Sequence, residues 1–414
     1  MFASDDPYAR RMAWRIVALL APVAMLNYLD RQMLASMKFS IAHDLSGLTD
    51  QESWGRILAA FKWVYALSSP LGGFLADRFS RRWVITASLL IWPAVTWATG
   101  QVATAEQLLF TRALMGLSEA FYIPAALALI ADFHPSTTRS RAIGVHQMGI
   151  YAGVILGGLG GYAADSAALG WRGAFELCGI VGVLYAILLA LFLRDAPSTE
   201  APSKGRTSPG ASLKELFGNR SFVLLVLCFT LPALSAWIVR DWMPAVLKEQ
   251  FGIGQGRAGI SATLPWQAAA IFGALGGGWL ADRWMRRTIR GRIYVSALGM
   301  ALFLPALAGL GYAPSTGHLS VAILFLVVFG VGWGFFDCNT MPVLCQVARP
   351  DLRATGYGMM NFISIGCGGF ADWGFGRLRD HGVALAAILG LLAAAALLSI
   401  FCMLLIQPRT EAAE

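Results

Sequence analysis

The sequence is poor in charge and in the usual marks of an enzyme. Charged residues make up 14% of its 414 residues, whereas soluble domains carry roughly 25%. There is no G-x-x-x-x-G-K-[S/T] phosphate loop and no Ser or Cys triad spacing, so neither ATP-driven work nor nucleophilic catalysis is indicated. The six cysteines show no C-x-x-C or Cys/His spacing. We therefore expect no enzyme activity, no metal and no bound cofactor.

What the sequence has in abundance is apolar surface. Hydrophobic residues make up 57% of the chain, which also contains 45 glycines and has a net charge of +8. In such a composition the basic excess is better explained by arginine-rich turns at a membrane surface than by a nucleic-acid interface. The chain is therefore predicted to be an integral membrane protein whose partners are the lipid bilayer and a small solute, and not nucleic acid.

Twelve apolar segments are long enough to cross a bilayer, which takes about 20 helical residues. They lie near 13–37, 54–76, 83–101, 106–131, 141–164, 173–194, 221–247, 258–281, 293–312, 319–347, 354–376 and 382–406.

One turn motif occurs twice, each time after an apolar segment. The copies read G-F-L-A-D-R-F-S-R-R from Gly73 and G-W-L-A-D-R-W-M-R-R from Gly278, 205 positions apart. A repeat with this long period predicts two similar halves. The turn is predicted to latch the cytoplasmic ends of the halves, although a simple positive-inside turn would use the same residues. The residues concerned are Gly73, Asp77, Arg78, Arg81, Arg82, Gly278, Asp282, Arg283, Arg286 and Arg287.

Basic residues give the orientation and the domain boundaries. The turns after the second, sixth and eighth segments are rich in arginine and lysine, and those after the third and ninth have none. The basic turns and both termini are therefore predicted to be cytoplasmic. The domains are expected at 1–194 and 221–414, joined by a cytoplasmic linker over 195–220.

Charges within the apolar segments are the main functional candidates, because a charge in mid-membrane is expensive. Asp30 and Arg31 are adjacent in the first segment, and Glu119 lies near the midpoint of the fourth, two turns from Arg112. Burial disfavours the charged form of a carboxylate, which suits a residue that exchanges protons. Asp30 and Glu119 are predicted to couple protons to transport. The alternative is structural: an ion pair that ties the first helix to a neighbour, or a Glu119 locked to Arg31 or Arg112.

The tenth segment repeats the pattern of the fourth. Both contain Gly-x-x-acid-x-x-x-x-Pro, and the acids are Glu119 and Asp337, 218 positions apart. The two helices are therefore expected at equivalent places across a pseudo-two-fold axis, with Asp337 as a third proton-coupling candidate. A shared structural role for the acid stays open.

Other polar or aromatic side chains in the segments could line a substrate pocket. Arg31 and Lys62 would suit an anion, whereas Arg240 could also be an interfacial anchor and His146 a packing residue. The substrate-binding candidates are Arg31, Asn27, Tyr28, Lys62, Tyr65, Tyr122, His146, Gln147, Tyr151, Trp237, Arg240, Trp266, Gln267, Asn339 and Asn361.

At the repeated turn the chain resembles the major facilitator superfamily of secondary transporters, which carries this motif between helices 2 and 3 and again between helices 8 and 9. The resemblance implies an all-α membrane protein with 12 transmembrane helices in two pseudo-symmetric six-helix halves. Asn27-Tyr28-Leu29-Asp30-Arg31, with Arg112, Gly116 and Glu119, looks like the anion:cation symporter branch and the related spinster-like carriers. There the matching Asp, Arg and Glu serve proton coupling and anion binding.

Two features depart from the patterns of the superfamily. The fifth segment has the glycine repeat Gly149-x-x-x-Gly153-x-x-x-Gly157 without a proline, which disfavours a drug:proton antiporter. Lys62 stands where an apolar or aromatic residue is expected, so substrate contacts can differ from those of the branch.

The leading hypothesis is proton-coupled symport of a small organic anion, a sugar acid or another carboxylate, by alternating access. Sodium coupling is not excluded. A spinster-like carrier of lysolipids or amphiphiles, or a membrane sensor that does not transport, are the alternatives. We expect a monomer in a bacterial cytoplasmic (inner) membrane.

Overall fold

The computed structural model describes residues 7–134, 136–196, 209–349 and 352–408, and nearly all of them are helical. Contacts divide the chain into two units. The first comprises Met1–Lys204 and Gly254–Ile260, and the second Gly205–Ile253 and Ser261–Glu414. The predicted linker over 195–220 falls partly on 197–208, which lie outside the described residues, so its bounds stay a prediction.

Within the described residues, the first unit contains nine helices and the start of a tenth. These are α1 (Pro7–Ser36), α2 (Lys38–Asp44), α3 (Gln51–Arg78), α4 (Arg81–Thr99), α5 (Ala105–Glu119), α6 (Tyr122–Phe133), α7 (Ser136–Gly158), α8 (Gly160–Asp165), α9 (Gly170–Phe192) and the first residues of α12 (Gln255–Met285). Its core is an aliphatic and aromatic cluster contributed by α1, α4, α6, α7 and α9.

The second unit contains the rest of α12 and six further helices. These are α10 (Pro209–Gly218), α11 (Arg220–Phe251), α13 (Gly291–Thr316), α14 (Leu319–Val347), α15 (Arg353–Asp380) and α16 (Leu385–Leu405). Its core cluster is contributed by α10, α11, α13, α14, α15 and α16. Most of the largest fully buried side chains are aromatic or aliphatic, as expected for helices packed in a bundle, but Arg112 of the first unit is also one of them.

Every predicted membrane segment coincides with a helix or a helix pair. Among the described residues, nine helical stretches are long and apolar enough to cross a membrane. The helices α3, α4 and α15 match predicted segments and are long enough, but they fall short of that apolarity. The count of twelve spans therefore stays a prediction.

Glycines allow α1 and α7 to touch at the backbone. A β-carbon on any of three α7 glycines, spaced one turn apart, would collide with a carbonyl oxygen of α1. The glycines are Gly149, Gly153 and Gly157, and the carbonyls belong to Ala21, Met25 and Leu29. Small residues at four-residue spacing are the usual means of such close packing in membranes. The contact fixes the face of α1 that carries Asn27, Asp30 and Arg31.

The repeat seen in the sequence has a counterpart in the packing. Gly116 of α5 lies against the carbonyl of Phe61 in α3, and a β-carbon there would collide with it. Gly334 of α14, 218 positions later, lies in the same way against the carbonyl of Ala270 in α12. The glycine of the Gly-x-x-acid pattern therefore has the same structural role in both units.

Candidate functional site

An ion pair between α1 and α5 lies at the centre of the charged residues of the first unit. Both Nε and Nη2 of Arg31 are 2.6 Å from Oε2 of Glu119. The Glu119 side chain is fully buried and that of Arg31 is 12% exposed. Removing one partner of such a pair costs about 3–5 kcal/mol, because it leaves a buried charge without compensation. The pair therefore holds α1 to α5 as long as Glu119 is ionised.

Three aromatic rings surround the Arg31 guanidinium. Its central carbon lies 4.8 Å from the ring centroid of Tyr28, 4.5 Å from that of Phe61 and 5.0 Å from that of Tyr65. Stacking on ring faces stabilises the cation while its N–H groups stay directed outward in the guanidinium plane. The arrangement presents these N–H groups to a carboxylate.

A second acid–base pair lies beside the first. Nη2 of Arg112 is 3.6 Å from Oδ1 of Asp30, and both side chains are buried. The hydroxyl of Thr96 in α4 donates to Oδ2 of Asp30. Arg112 also lies 5.9 Å from the Phe61 ring, so both arginines are close to this ring. With two acids and two arginines, the group is neutral when every member is ionised.

The helix that carries Glu119 is interrupted directly after it, within the apolar stretch Ala105–Phe133 that matches the predicted segment over 106–131. α5 ends at Glu119 and α6 begins at Tyr122. Pro124 explains the break, because it has no N–H for the carbonyl four residues earlier and its ring crowds that carbonyl. Ser88 in α4 donates to the carbonyl of Ser118 at 2.6 Å, which satisfies one of the exposed acceptors. Glu119 therefore lies at the end of α5 and in the middle of the apolar stretch Ala105–Phe133, as predicted.

Several buried polar atoms beside these pairs have no hydrogen-bond partner within the described residues. They are Oε1 of Glu119, Oδ1 of Asp30 and both amide atoms of Asn27. Asn27, Asp30 and Arg31 share one face of α1 at i, i+3 and i+4. Because an unsatisfied buried polar group costs about 1–3 kcal/mol, the group is suited to bind a proton or the polar part of a ligand.

The remaining substrate-binding candidates of the first unit are buried or half-buried. The Tyr122 hydroxyl donates to the carbonyl of Leu20 at 2.9 Å and lies 2.9 Å from Nε2 of His146. Both side chains are buried in the core, and the substrate-binding and packing roles of His146 both stay predictions. Lys62 is also buried. Gln147 and Tyr151 are half-buried, and Tyr151 packs against the core cluster.

Candidates of the second unit make local contacts within the described residues. The Arg240 guanidinium lies 4.0 Å from the Trp237 ring, and its Nε is 3.4 Å from Oδ1 of Asp241. Asp337 is half-buried and has no ion pair within the described residues. Two more candidates make local contacts: Trp266 packs on Phe329, and Asn339 donates to the carbonyl of Phe335. Gln267 is buried and Asn361 is half-buried.

The two copies of the repeated turn make different ion pairs. In the first copy, Arg81 pairs with Asp132 of α6, and Arg82 donates to the carbonyl of Ala190 near the end of α9. The side chains of Gly73 and Asp77 lie outside the described residues, and Arg78 is exposed.

In the second copy, Asp282 lies 3.4 Å from Arg292, and Arg283 lies 5.9 Å from the Trp279 ring. Gly278 is half-buried, while Arg286 and Arg287 are exposed. Arg290 donates to the carbonyl of Leu404 at the end of α16. In both units an arginine thus bonds the carbonyl end of the last long helix, where a cation is favourable.

Sequence reasoning missed three residues of the first unit: Phe61, Thr96 and Asp132. Phe61 lies one position before Lys62, and only Lys62 was selected as a substrate-binding candidate, because of its charge. Thr96 and Asp132 are ordinary in the sequence, and only the packing of α4 on α1 and of α6 on the turn gives them partners. Within the described residues no group of three or more His, Cys, Asp and Glu side chains could hold a metal ion.

Comparison with known proteins settles the family. The model of the Major Facilitator Superfamily matches residues 20–371. The chain belongs to this superfamily. It is therefore an integral membrane protein with a transporter's fold, and its substrate is expected to be a small molecule.

Relatives within the superfamily differ in what their names say they carry. "Probable galactarate/D-glucarate transporter GudP" from Bacillus subtilis (strain 168) is 29% identical over 372 residues, which are 80% of this chain and 79% of that one. "Protein spinster homolog 1" from Bos taurus is 32% identical over 242 residues, 56% of this chain and 45% of that one.

A solved structure shows the same fold. The inward-facing, unoccupied crystal structure of a bacterial homologue of the human lysosomal transporter spinster has a TM-score of 0.74. It is 21% identical, and the alignment covers 97% of this chain and 96% of the other. The chain is thus a member of the Major Facilitator Superfamily in both sequence and fold.

Proposed function

We propose that this transporter moves a small organic anion, a sugar acid or another carboxylate, together with protons, by alternating access. The observation that carries the proposal is the pairing of Arg31 with Glu119 inside a ring of aromatic side chains. Arginine is suited to bind a carboxylate through two parallel hydrogen bonds. The naming of a relative as a galactarate/D-glucarate transporter supports the substrate class.

The pair suggests how proton and anion are linked. When Glu119 takes up a proton on a carboxylate oxygen, its attraction for Arg31 falls, and the guanidinium becomes available to the substrate's carboxylate. When the substrate leaves, Glu119 loses its proton and pairs again with Arg31. Each cycle then carries one proton at Glu119 with one anion at Arg31, so the pH gradient drives accumulation.

Asp30 is the second proposed proton site, because it is buried and bound by Arg112 and Thr96. Its neighbour Arg112 would keep the charge balanced as Arg31 changes partner. Asp337 completes the proposed set, and sodium is the alternative coupling ion. We further propose a monomer in the cytoplasmic membrane of a bacterium, with both termini in the cytoplasm.

A second candidate is a spinster-like carrier of lysolipids or other amphiphiles. The observation in its favour is the 32% identity to a spinster homologue over 56% of the chain. The two functions differ in what competes for the protein: sugar acids in the first, lysolipids in the second.

The test starts with purified protein and a panel of carboxylates that includes D-glucarate, galactarate and D-glucuronate. We expect one class of sugar acid to raise the melting temperature, and proteoliposomes with an acidic exterior to accumulate it. Arg31→Ala should abolish saturable binding, and Arg31→Lys should restore it only in part, since lysine lacks the two-pronged geometry. The wild-type protein in vesicles without a pH gradient is the control.

Three results would decide against the proposal. Stabilisation by lysolipid and not by any carboxylate would favour the second candidate. Binding without accumulation would indicate a sensor. Full sugar-acid affinity in Arg31→Ala would assign Arg31 to structure.

A further inference from the structure

The second unit contains a buried acid that has no role in the function above. Asp372 lies in α15 within the stretch Gly368-Gly369-Phe370-Ala371-Asp372, and it is fully buried. A carboxylate inside a membrane helix is stable only when a cation, a hydrogen-bond donor or a proton compensates for its lost hydration. Its neighbours should therefore reveal what it does.

Two contacts fix the level of Asp372 against α11. A β-carbon on Gly368 would lie 2.6 Å from Cδ1 of Trp237, so the indole ring of Trp237 packs directly on the backbone of α15 there. Further along, the rings of Phe375 and Trp242 lie 4.7 Å apart. Since both residue numbers rise together, α11 and α15 run in the same direction.

Asp372 lies between these two contacts on α15. Arg240 and Asp241 lie between them on α11. At a rise of about 1.5 Å per residue, Asp372 is then level with Arg240 and Asp241 to within one helical turn.

Arg240 has the capacity for more than one acidic partner. Its side chain is 15% exposed, it stacks on Trp237, and its Nε lies 3.4 Å from Asp241. A guanidinium has five N–H donors, so it can bond two carboxylates at once. The helix α16, which also packs against α11, has no charged residue over Leu385–Leu405. Among the acids of α15 and α16, Asp372 is therefore the one best placed to share Arg240 with Asp241.

We propose that Asp372 is a positioning residue that holds Arg240 in the empty transporter and is displaced from it by a carboxylate of the transported anion. Asp241, Asp372 and Arg240 lie at the same level of the two helices. In this proposal Asp241, the neighbour of Arg240 in sequence, stays paired with Arg240 throughout the transport cycle. The inference rests on the proposed function, because it takes the cargo to be a carboxylate. It assigns the second unit its own anion-binding arginine and an internal competitor for it.

Competition predicts that the protein binds the anion more tightly when Asp372 loses its charge. Damage to the fold would weaken binding instead. Asp372→Asn removes the competing charge and keeps the shape of the side chain. The affinity for the sugar acid should therefore rise, by about tenfold if the competitor costs as much as one ordinary buried hydrogen-bonded contact. Turnover should fall, because the anion then leaves Arg240 more slowly.

The experiment measures the dissociation constant of purified full-length protein for the sugar acid that the wild type binds, with D-glucarate tried first. Asp372→Glu should restore nearly normal affinity, since it returns the charge. Asp241→Asn is the matched control and should not tighten binding. In Arg240→Ala the Asp372→Asn change should have no effect, because the residue through which it acts is missing.

Unchanged or weaker binding in a folded Asp372→Asn variant would overturn the proposal, and so would equal tightening in Asp241→Asn. A test without substrate exchanges the charges, with Arg240→Asp and Asp372→Arg in one chain. The double variant should recover melting temperature that each single variant loses, and failure to recover would show that the two residues are not paired. If the wild type binds no sugar acid, the proposed function and the competition both fail, while the charge exchange still decides the pairing.

Discussion

The two units contain the same pattern, Gly-x-x-acid-x-x-x-x-Pro, and use it differently. In the first unit the helix breaks after Glu119, which is buried against Arg31. In the second unit α14 continues through Pro342, and Asp337 has no ion pair among the described residues. The glycine packs alike in both, so the scaffold is shared while the chemistry is not. An internal repeat therefore predicts equivalent positions better than equivalent roles.

Local side-chain hydrogen bonds differ between the two helices. In α14, Asn339 and Thr340 donate back to the carbonyls of Phe335 and Phe336, at 2.9 and 3.3 Å. In α5 the carbonyl of Ser118 accepts from outside the helix, from Ser88 of α4. None of these bonds reaches the carbonyl four residues before the proline, which is the one that the proline deprives of its helical donor. The bonds therefore do not explain why one helix breaks and the other continues.

The largest difference between the units is expected from neutralising their acids. Glu119→Gln mimics the protonated state permanently, so it should keep binding and exchange of the anion but reduce accumulation driven by a pH gradient to background. Asp337→Asn removes a proposed proton site that has no ion pair among the described residues, so it should reduce gradient-driven accumulation by a smaller factor than Glu119→Gln does. Uptake into proteoliposomes with and without a gradient measures both. Gradient-driven accumulation in Glu119→Gln would move the coupling to Asp30.

Removing the prolines tests the helix break. Pro124→Ala returns an N–H that can bond the carbonyl four residues earlier, so it should close the interruption and raise the free energy of unfolding by about 1–3 kcal/mol. Transport should slow, because Glu119 moves relative to Arg31. Pro342→Ala is the matched control and should leave the transport rate unchanged, since α14 is already continuous. Equal rates in both variants would show that the break has no role in transport.

The repeated turn should show a smaller difference. Arg81→Gln removes the pair with Asp132, whose side chain is 37% exposed, and Arg292→Gln removes the pair with Asp282, which is 73% exposed. Exposed pairs contribute about 0.2–1 kcal/mol, so each melting temperature should fall slightly, and more for Arg81. If the turn is a latch, Arg81→Gln and Asp77→Asn slow transport more than they weaken binding. Normal transport with normal expression would contradict the latch.

The smallest effect concerns the ends of α6 and α14, where the sequence has His134 and Arg349, each before a proline. Burial, together with nearby Arg139, lowers the pKa of His134. As the pH falls, the unfolded chain protonates His134 before the folded protein does. The contribution of neutral His134 to the free energy of unfolding is therefore complete above about pH 6.5 and declines as the pH falls below that value. His134→Gln should flatten the melting temperature between about pH 7.5 and 5.5, and Arg349→Gln should not. An unchanged slope in His134→Gln would assign the pH dependence to other groups.

The sequence allowed the family, the helices and the equivalence of α5 and α14 to be predicted, because apolar length and a long-period repeat are visible in one chain. The partner of Glu119 could not be predicted. Arg31 and Arg112 were both within reach, and the choice depends on how α1 is rotated by the glycines of α7. The break after Glu119 was available from Pro124 and was overlooked. So was Asp372, a charge in an apolar segment that the rule applied to Asp30 would have selected.

The glycine contact between α1 and α7 has a consequence for synthesis of the protein. Gly149 follows its partner Ala21 by 128 residues, and Glu119 follows Arg31 by 88. When α1 enters the bilayer, the ribosome has made neither the helix that packs against its backbone nor the carboxylate that neutralises its arginine. Asp30 and Arg31 must then be sheltered by the insertion machinery or remain near the lipid headgroups. The first helix of this transporter can reach its final position only after the fifth predicted segment has been translated.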